Sequence, residues 1–315
     1  MKKLNVAVVG TGSWGKNHAR IYSELPYANL FGIVDKDLKR GKAIAKQYNT
    51  QFFENLDDLL KNKELHMIAI ASPTTSHAKI AIQAIECGKH VFIEKPMTGT
   101  VDEALEVMDA EKTHGIKIGV GFIERFNPVI KRSKQLVENK ELGNLVLMGA
   151  RRLGPFWPER LKDVDVIRDV SIHDIDGFRY IIGKEPISIY ARGGKLRHHY
   201  YDYAEIILDF GSGVTGFIES NYLTPHKYRK LSLTCEHGMV EADFMTQEYI
   251  IENEEFIKKR KLEWQEPLSA ELGSFVKACL EDSKPLVTSE DGLRALQISY
   301  AAIESIETHK VININ

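Results

Sequence analysis

The chain has 315 residues, of which 43% are hydrophobic, so it can form one large or two ordinary domains with sizeable cores. Acids and bases are interspersed and the formal charge is −2, which argues against a nucleic-acid-binding protein defined by bulk positive charge. No stretch of about 18 apolar residues predicts a membrane span, and the first apolar run is too short for a signal peptide. The cysteines Cys87, Cys235 and Cys279 form no CxxC pair, which is typical of reduced thiols in a cytoplasmic protein.

The first predicted element is an apolar run, Val6 to Val9, typical of a buried parallel strand. It leads into Gly10, Gly12 and Gly15, spaced G-x-G-x-x-G. Glycines at these points permit a tight turn, close approach of a pyrophosphate to the backbone, and close packing of the next helix. The helix N-terminus offers free N–H groups to the phosphates. The helical pattern places on one side Trp14, Ile21, Tyr22 and Leu25. The predicted dinucleotide-binding residues of this segment are Gly10, Thr11, Gly12, Ser13, Trp14 and Gly15.

A candidate for ribose recognition, Asp35, follows Gly15 by 20 positions, at the end of a second mostly apolar run at 30–34. An acid there would accept both ribose hydroxyls of the adenosine half and repel a 2′-phosphate, which favours NAD over NADP. Lys36 and Arg40 keep NADP open as the alternative cofactor, because cations there could hold a 2′-phosphate. A capping role for Asp35 in the next helix is compatible with the cofactor role.

Strands and helices alternate through the first part of the chain. Further strands are predicted at 29–34, 51–53, 66–71, 90–94 and 116–121, and helices at 36–48, 55–62, 74–88 and 101–114. Parallel neighbours need crossover connections, and these are almost always right-handed. The pattern therefore predicts an α/β fold whose residues 1–121 form an NAD-binding Rossmann domain with a doubly wound parallel sheet.

The pattern changes after Gly121, where strands follow one another. Helices are predicted at 128–139, 172–182, 268–281 and 290–308, and strands at 145–152, 187–194, 200–210, 213–222, 228–236, 239–243 and 247–251. Strand 200–210 alternates Ala204, Ile206, Leu208 and Phe210 with Tyr203, Glu205, Ile207 and Asp209, as in a sheet packed on one side. Residues 122–315 are predicted to form an α+β domain for substrate binding and oligomerisation, whose last helix could return to the first domain.

Glu94-Lys95-Pro96 follows a predicted strand of the parallel sheet, at the edge where ligands bind. A lysine there can hydrogen-bond a substrate hydroxyl and stabilise negative charge developing on its oxygen. Spacing alone favours a simpler interpretation, a surface ion pair at the end of a strand.

Asp169 and His173 are four positions apart at a predicted helix start, where such residues share a face. The acid could orient the imidazole or hold substrate, and the imidazole could exchange a proton near neutral pH. Spacing alone favours a capping acid and a partly buried histidine, with Asp174 and Asp176 as first-turn acids. A metal site is not favoured, because no second histidine completes a ligand cluster.

The order and distances of these motifs resemble the glucose–fructose oxidoreductase / inositol dehydrogenase / MocA-like family of NAD(P)-dependent oxidoreductases, over nearly the full length. The resemblance implies a Rossmann domain followed by a domain with an open, mainly antiparallel sheet, and a homodimer or homotetramer. It implies reversible oxidation of a secondary alcohol of a sugar or cyclitol, with Lys95, Asp169 and His173 as catalytic residues. Many members have glycine two residues before the histidine, where this chain has Ser171. The predicted cofactor-binding set also includes Ser72, Pro73, Thr74, His77, Glu94 and Lys95.

Segments 124–128, 151–155 and 221–230 look like the UDP-N-acetylglucosamine 3-dehydrogenase group within that family. A sugar nucleotide carries an anionic diphosphate, so its site needs cations, and guanidinium groups match phosphate well. Tyr222 or Phe156 could stack on uracil or sugar. The predicted substrate-binding residues are Glu124, Arg125, Asn127, Arg152, Arg160, Asn221, Lys227 and Arg229.

The resulting hypothesis is NAD-dependent oxidation of UDP-N-acetylglucosamine to its 3-keto form. His173, supported by Asp169, would accept the hydroxyl proton and Lys95 would polarise the oxygen, although spacing leaves open which of the two is the base. One alternative is an inositol or free-sugar dehydrogenase of the same family. An alternative of another class is a non-catalytic dinucleotide-sensing regulatory protein, which the joint presence of these three residues disfavours.

Overall fold

The computed structural model describes residues 3–156, 164–197 and 199–314. The chain divides into two compact units, Met1–Phe122 with Leu268–Arg294, and Ile123–Pro267 with Ala295–Asn315. The first unit therefore contains a segment that follows most of the second unit in sequence. No helix within the described ranges is both long enough and apolar enough to cross a membrane.

The first unit contains a six-stranded sheet whose neighbouring strands all pair in parallel. Its strands are β1 (Leu4–Val9), β2 (Ala28–Val34), β3 (Gln51–Phe53), β4 (Met67–Ile70), β5 (His90–Ile93) and β6 (Ile118–Val120). Their order in the sheet is β3-β2-β1-β4-β5-β6, the arrangement of doubly wound dinucleotide-binding folds. The predicted Rossmann sheet is confirmed.

Five helices connect these strands, α1 (Gly15–Glu24), α2 (Leu38–Gln47), α3 (Leu56–Leu60), α4 (His77–Glu86) and α5 (Val101–His114). At α1 the structure differs from the sequence prediction, because Trp14 is the N-cap residue and is 40% exposed. Ile21 and Tyr22 are buried as predicted. Trp14 does not pack with them because it precedes the first helical turn.

The second unit contains a nine-stranded sheet. Its strands are β7 (Leu145–Leu153), β8 (Ser188–Gly194), β9 (Tyr203–Asp209), β10 (Thr215–Asn221), β11 (Tyr228–Cys235), β12 (Gly238–Asp243), β13 (Glu248–Glu252), β14 (Ile257–Lys261) and β15 (Ile312–Asn313). Their order is β14-β13-β12-β11-β7-β10-β9-β8-β15, and every pair except β7 with β10 is antiparallel. This confirms the mainly antiparallel sheet that the family resemblance implied.

The later helices are α6 (Pro128–Glu138), α7 (Ile172–Ile182), α8 (Pro267–Leu280) and α9 (Ser289–Thr308). One face of the second sheet is apolar and buried, and the other is open. On β9, Ala204, Ile206 and Leu208 are buried, whereas Tyr203 and Ile207 are more than 40% exposed. The predicted alternation along this strand is therefore present.

Candidate active site

The glycine-rich turn after β1 has the backbone shape that its spacing predicts. Gly10 has φ +87°, and a Cβ added there would lie 2.8 Å from the backbone nitrogen of Ser72. A Cβ on Gly15 would lie 1.8 Å from the Gly10 carbonyl oxygen, so only glycine lets α1 start this close to β1. A Cβ on Gly12 would meet nothing within 4 Å among the described residues. Neighbouring backbone atoms therefore crowd the turn at Gly10 and Gly15, whereas there is free space beside Gly12.

Asp35 follows β2 and its carboxylate is buried beside this turn. It accepts hydrogen bonds from the backbone N–H of Thr11 at 2.7 Å, the Thr11 hydroxyl at 2.5 Å and the N–H of Asp37 at 2.8 Å. Arg40 donates through Nε at 3.0 Å and Nη2 at 2.7 Å. Burial alone would raise the pKa of Asp35, but these donors outweigh it and the pKa is lowered. Lys36 and Arg40 are the two cations that could hold the 2′-phosphate of NADP. Arg40 is hydrogen-bonded to Asp35, and Lys36 is exposed.

The loops that follow β4 and β5 are joined by His77, the first residue of α4. Its Nδ1 lies 3.0 Å from the carbonyl oxygen of Pro96, and its Nε2 lies 2.9 Å from that of Ser72. Because His77 is buried and both ring nitrogens face carbonyl groups, its contacts are those of a link between the loops. Two other predicted cofactor-binding residues, Pro73 and Thr74, lie in the loop between β4 and α4. Thr74 is buried and Pro73 is exposed.

Glu94 and Lys95 directly follow β5, at the carboxyl edge of the parallel sheet, as predicted. Glu94 is buried, and its Oε1 lies 2.8 Å from Nε2 of His18. Lys95 is half-buried. The structure therefore places the lysine beside a buried carboxylate at the edge where ligands of such sheets bind.

A single π-helical turn, Ile167–Ser171, precedes α7 and carries Asp169. The buried Asp165 starts this turn, since its Oδ1 accepts the backbone N–H groups of Ile167 at 3.0 Å and Arg168 at 2.9 Å. Such turns recur at functional sites because they redirect side chains. Ser171, where many family members have glycine, has φ −61° and ψ −29°. This is ordinary right-handed helix, so glycine is not required for the local backbone.

Asp169 is held by Tyr222, whose hydroxyl donates a hydrogen bond to its Oδ2 at 2.5 Å. Tyr222 is buried, and burial together with the charge of Asp169 raises its pKa well above the usual value. The phenol therefore stays protonated and donates. Stacking of Tyr222 on uracil or sugar stays a prediction; the structure shows that its hydroxyl is directed at the Asp169 carboxylate. His173 is the second residue of α7 and is buried.

Arg152 on β7, only 2% exposed, is the centre of a buried ion-pair cluster in the second unit. Its Nε and Nη2 donate to the two carboxylate oxygens of Asp174 at 2.9 Å and 2.8 Å, and its Nη1 donates to Oε1 of Glu124 at 2.7 Å. Burial alone would lower the pKa of Arg152, but the two carboxylates raise it well above its usual value. Burial raises the pKa of Asp174, and Arg152 opposes that effect. We refer to Arg152, Glu124 and Asp174 as the arginine triad.

Arg125 and Asn127 are also engaged inside the second unit. Arg125 donates through Nε at 2.8 Å and Nη2 at 2.6 Å to the carboxylate of buried Asp176. Asn127 donates to Oε2 of Glu124 at 3.1 Å and to a backbone carbonyl oxygen, that of Phe244, at 3.1 Å. Glu124, Arg125, Asn127 and Arg152 were predicted to contact substrate, and the structure instead places their polar groups in a buried internal network.

Sequence analysis missed this network although one signal was available. Asp174 and Asp176 were interpreted as first-turn acids near the helix dipole, yet they lie in an otherwise largely apolar helix. Acids on such a helix need buried partners. The partners could not be assigned, because they are Arg152 on β7 and Arg125 in the short 3₁₀ turn Ile123–Phe126.

Arg229 on β11 differs from these arginines. The strand register pairs it directly with Arg152 of β7, so two cations are cross-strand neighbours. Its Nη1 lies 3.9 Å from Oε1 of Glu124, and its buried Nε has no hydrogen-bond partner among the described residues. Burial and the charge of Arg152 lower the pKa of Arg229. The carboxylates of Glu124, Asp174 and Asp169 act on the pKa of Arg229 in the opposite direction. Because the guanidinium is partly exposed, an anion can reach it.

The other predicted substrate residues lie in varied positions. Lys227 is exposed, and Asn221 and Phe156 are half-buried. The Asn221 side chain accepts the backbone N–H of Leu223 at 3.0 Å. Arg160 lies outside the described residues.

Two family models match the chain in the order of its two sheets. The model of the GFO/IDH/MocA oxidoreductase family, NAD-binding Rossmann fold, matches residues 4–122. The GFO/IDH/MocA C-terminal domain matches residues 130–241. These matches confirm the predicted family and NAD as the cofactor of the first unit.

Similar proteins include an uncharacterized oxidoreductase of Bacillus subtilis, 30% identical, with alignment over 97% of this chain and 95% of the relative. An inositol 2-dehydrogenase of Rubrobacter xylanophilus is 31% identical over 76% of this chain and 72% of its own. The solved structure of UDP-N-acetylglucosamine 3-dehydrogenase from Acidithiobacillus ferrooxidans is 25% identical, with a TM-score of 0.89 over 98% of this chain and 99% of that chain. The similar proteins therefore include both cyclitol and sugar-nucleotide dehydrogenases.

Proposed function

The chain belongs to the GFO/IDH/MocA family of oxidoreductases, and we propose that it oxidises the C3 hydroxyl of UDP-N-acetylglucosamine with NAD. As a member of this family it is a sugar or polyol oxidoreductase with dehydrogenase relatives. The finer proposal, a nucleotide sugar and not a neutral cyclitol, rests on one observation. Arg229 is a partly exposed cation beside Arg152 whose guanidinium makes no hydrogen bond to a carboxylate among the described residues, and a diphosphate would supply such an acceptor.

Electrostatics at Arg229 favours an anionic substrate. Glu124 and Asp174 receive all three nitrogens of Arg152, so Arg229 is not needed for the hydrogen bonds of the triad, although the two carboxylates also attract its charge. The cross-strand pairing of Arg229 with Arg152 brings like charges together and is unfavourable on its own. A phosphate oxygen bound to the exposed part of the Arg229 guanidinium would relieve this repulsion. A neutral polyol would supply an acceptor but no charge.

The residues of the first unit fit NAD. The backbone is open at Gly12, where a pyrophosphate must approach, and the Asp35 carboxylate lies beside the turn for ribose hydroxyls. When bound, NAD supplies the hydride acceptor. Arg40 would have to yield hydrogen-bonding positions on Asp35 to the ribose, since it now occupies both carboxylate oxygens.

We assign the proton chemistry to Lys95, His173 and Asp169. His173 takes the proton of the substrate hydroxyl, and Lys95 hydrogen-bonds the same oxygen and stabilises its negative charge. Asp169 supports the imidazole and is itself fixed by the hydroxyl of Tyr222. Removing the proton makes the C–H bond a better hydride donor, so proton and hydride departure are coupled.

A homodimer or homotetramer is part of the proposal. The open face of the second sheet exposes a group of apolar side chains, which are Leu147, Tyr203, Ile207, Phe217 and Tyr228. Large exposed apolar patches mark association surfaces. Light scattering of wild type and of Phe217→Asp tests this, because we expect an oligomer for the first and a monomer for the second. A monomeric wild type contradicts the proposal.

The function is tested by NADH formation with a panel of alcohols. UDP-N-acetylglucosamine should be oxidised, and N-acetylglucosamine and myo-inositol should be much poorer substrates.

Arg229→Met should raise KM for the nucleotide sugar about tenfold or more and leave KM for a neutral sugar unchanged, since a charged hydrogen bond is worth about 1.5–3 kcal/mol. Oxidation of myo-inositol that is insensitive to Arg229→Met would instead establish a cyclitol dehydrogenase. If Lys95→Met and His173→Ala both keep the wild-type rate of alcohol oxidation, the assigned chemistry is overturned.

A further inference from the structure

His18 is a titratable group with no place in the proposed chemistry, yet it lies inside the first unit. It is the fourth residue of α1 and is 0% exposed. Its ring packs edge-on against Phe92 of β5, with centroids 5.7 Å apart, and against Tyr22, at 6.3 Å. Burying an imidazole among aromatic rings is costly unless its polar atoms are paired. An apolar residue would fill the same space without that cost.

The one described hydrogen bond of the His18 ring reaches the segment of Lys95. Nε2 lies 2.8 Å from Oε1 of Glu94, and the buried Nδ1 has no hydrogen-bond partner among the described residues. A carboxylate only accepts, so the bond requires the proton on Nε2. The ring therefore acts as a fixed donor aimed at Glu94, which α1 brings to the end of β5.

The other oxygen of Glu94 extends this link to the next residue. Oε2 accepts the backbone N–H of Lys95 at 3.3 Å. A Cβ added to Gly121, which follows β6, would lie only 3.0 Å from the same oxygen. The carboxylate is thus confined between the imidazole on one side and the backbone of Gly121 on the other. Its orientation fixes the peptide from which the Lys95 side chain departs.

A second buried histidine restrains the other side of Lys95. Nδ1 of His77 lies 3.0 Å from the carbonyl oxygen of Pro96. The residue before the lysine and the residue after it therefore each lie against a buried imidazole. The half-buried lysine is the part of this segment that reaches solvent.

We propose that His18 is a positioning residue for Lys95, acting through the carboxylate of Glu94. It does not touch substrate or cofactor; it fixes the backbone of the lysine so that the ammonium group is directed at the reacting hydroxyl. The inference rests on the role of Lys95 in the proposed function. Small displacements of a positioned group are expensive in rate.

A substrate-free experiment measures the position of Lys95 directly. The full-length protein is acetylated with limiting acetic anhydride, and mass spectrometry gives the labelling of Lys95 relative to the exposed Lys39 and Lys63 of the same unit. In His18→Leu we expect Lys95 to label about threefold faster or more, the factor that corresponds to the loss of one net hydrogen bond. His18→Gln keeps an N–H donor and should restore most of the wild-type rate.

Tyr22→Phe is the matched control. Tyr22 lies one turn after His18 and packs on its ring, but its buried hydroxyl has no hydrogen-bond partner among the described residues. If His18 merely fills the core, this variant and His18→Leu should behave alike. We expect Tyr22→Phe to label as wild type does.

Kinetics give the second measurement. With UDP-N-acetylglucosamine, His18→Leu should lower kcat about tenfold or more while KM for NAD and the dissociation constant of NADH, from its fluorescence, stay within about twofold. His18→Gln should recover kcat. A purely structural role would not produce a loss of kcat that the conservative variant rescues.

The outcomes separate the two proposals. Equal Lys95 labelling in wild type and folded His18→Leu overturns the positioning role, whatever the substrate. Absence of turnover in wild type contradicts the proposed substrate and leaves the labelling experiment decisive. If His18→Leu does not fold, Gly121→Ala crowds the same carboxylate from the opposite side and must raise Lys95 labelling, and an unchanged rate overturns the proposal.

Discussion

The two units of this chain assemble their candidate site residues by different means. In the first, the residues follow consecutive parallel strands, with the glycine-rich turn after β1, Asp35 after β2 and Lys95 after β5. In the second, Glu124, Arg152 and Arg229 come from a 3₁₀ turn, β7 and β11. The first arrangement follows from topology, because the carboxyl ends of parallel strands share one edge. The second depends on which charges meet in the folded unit.

This difference has consequences for binding and stability. The glycine-rich turn would position a ligand with backbone atoms, and the buried acids of the first unit, Asp35 and Glu94, each pair with one basic side chain, Arg40 and His18. The second unit surrounds its candidate anion-binding arginine with the arginine triad, whose charges must be paired to be buried. There, the structural Arg152 and the proposed ligand-binding Arg229 are neighbours, and sequence position does not distinguish them.

The largest expected effect is on the free energy of unfolding, and it distinguishes Arg152 from Arg229. Arg152→Met leaves Glu124 and Asp174 buried without their common partner, and we expect it to lower the free energy of unfolding by about 3–5 kcal/mol. Arg229→Met should cost less than about 1 kcal/mol, because its Nη1 is 3.9 Å from Glu124 and its Nε has no partner among the described residues. Urea unfolding measures both. Equal losses would remove the distinction between the triad and a binding arginine.

The elements whose ends carry local signals could be predicted from sequence. Helix 101–114 was predicted with the bounds of α5, where Thr100 and Glu103 form a capping box and Gly115 ends the helix with φ +61°. The doubly wound parallel sheet follows from the alternation of strands and helices. The strand β14 (Ile257–Lys261) was missed, because it is exposed along its whole length and lacks apolar alternation.

The side-chain pairs of the second unit could not be predicted from sequence for a different reason. The hydrogen bond from Tyr222 to Asp169 and the ion pair of Arg125 with Asp176 join residues about 50 positions apart. No local periodicity encodes such pairs, because they form only when the turns, α7 and the end of β10 pack together in the folded unit. Sequence analysis could identify the charged residues of the second unit but not their partners.

The next largest effect compares Lys95 of the first unit with His173 of the second. We expect Lys95→Met and His173→Asn each to lower kcat by about a hundredfold or more, in the range of positioned proton transfer. The exposed His237 supplies the matched control, and His237→Asn should leave kcat unchanged. Steady-state NADH formation is the measurement. A loss with Lys95→Met alone would restrict the chemistry to the first unit.

A smaller effect tests how the second unit fixes its acid. Tyr222→Phe removes the donor to Asp169 and keeps the ring, and we expect kcat to fall about tenfold, as for the loss of a hydrogen bond to a charged group. KM for the sugar nucleotide should change little. The stacking hypothesis makes the opposite forecast, since a phenyl ring stacks as well as a phenol. Under that hypothesis only Tyr222→Leu would affect binding, through a higher KM.

The smallest effect tests the buried acid of the first unit through pH. Hydrogen bonds from Arg40, Thr11 and Asp37 outweigh burial and lower the pKa of Asp35, so folding favours its charged form. Such an acid stabilises the fold above its unfolded pKa of about 3.9, and the contribution is lost as the pH falls through the lower folded value. Asp35→Asn should therefore cost about 1–2 kcal/mol at neutral pH, and the difference from wild type should shrink below about pH 4.

Urea unfolding from neutral pH to about pH 3 measures this difference, with Arg40→Gln as the matched variant. Arg40→Gln removes the guanidinium that helps to lower the pKa, so the pH-dependent part of the difference should be smaller in its background. A difference that stays constant down to about pH 3 would mean that Asp35 acts by shape and not by charge. The first unit would then hold Asp35 through geometry and not through charge.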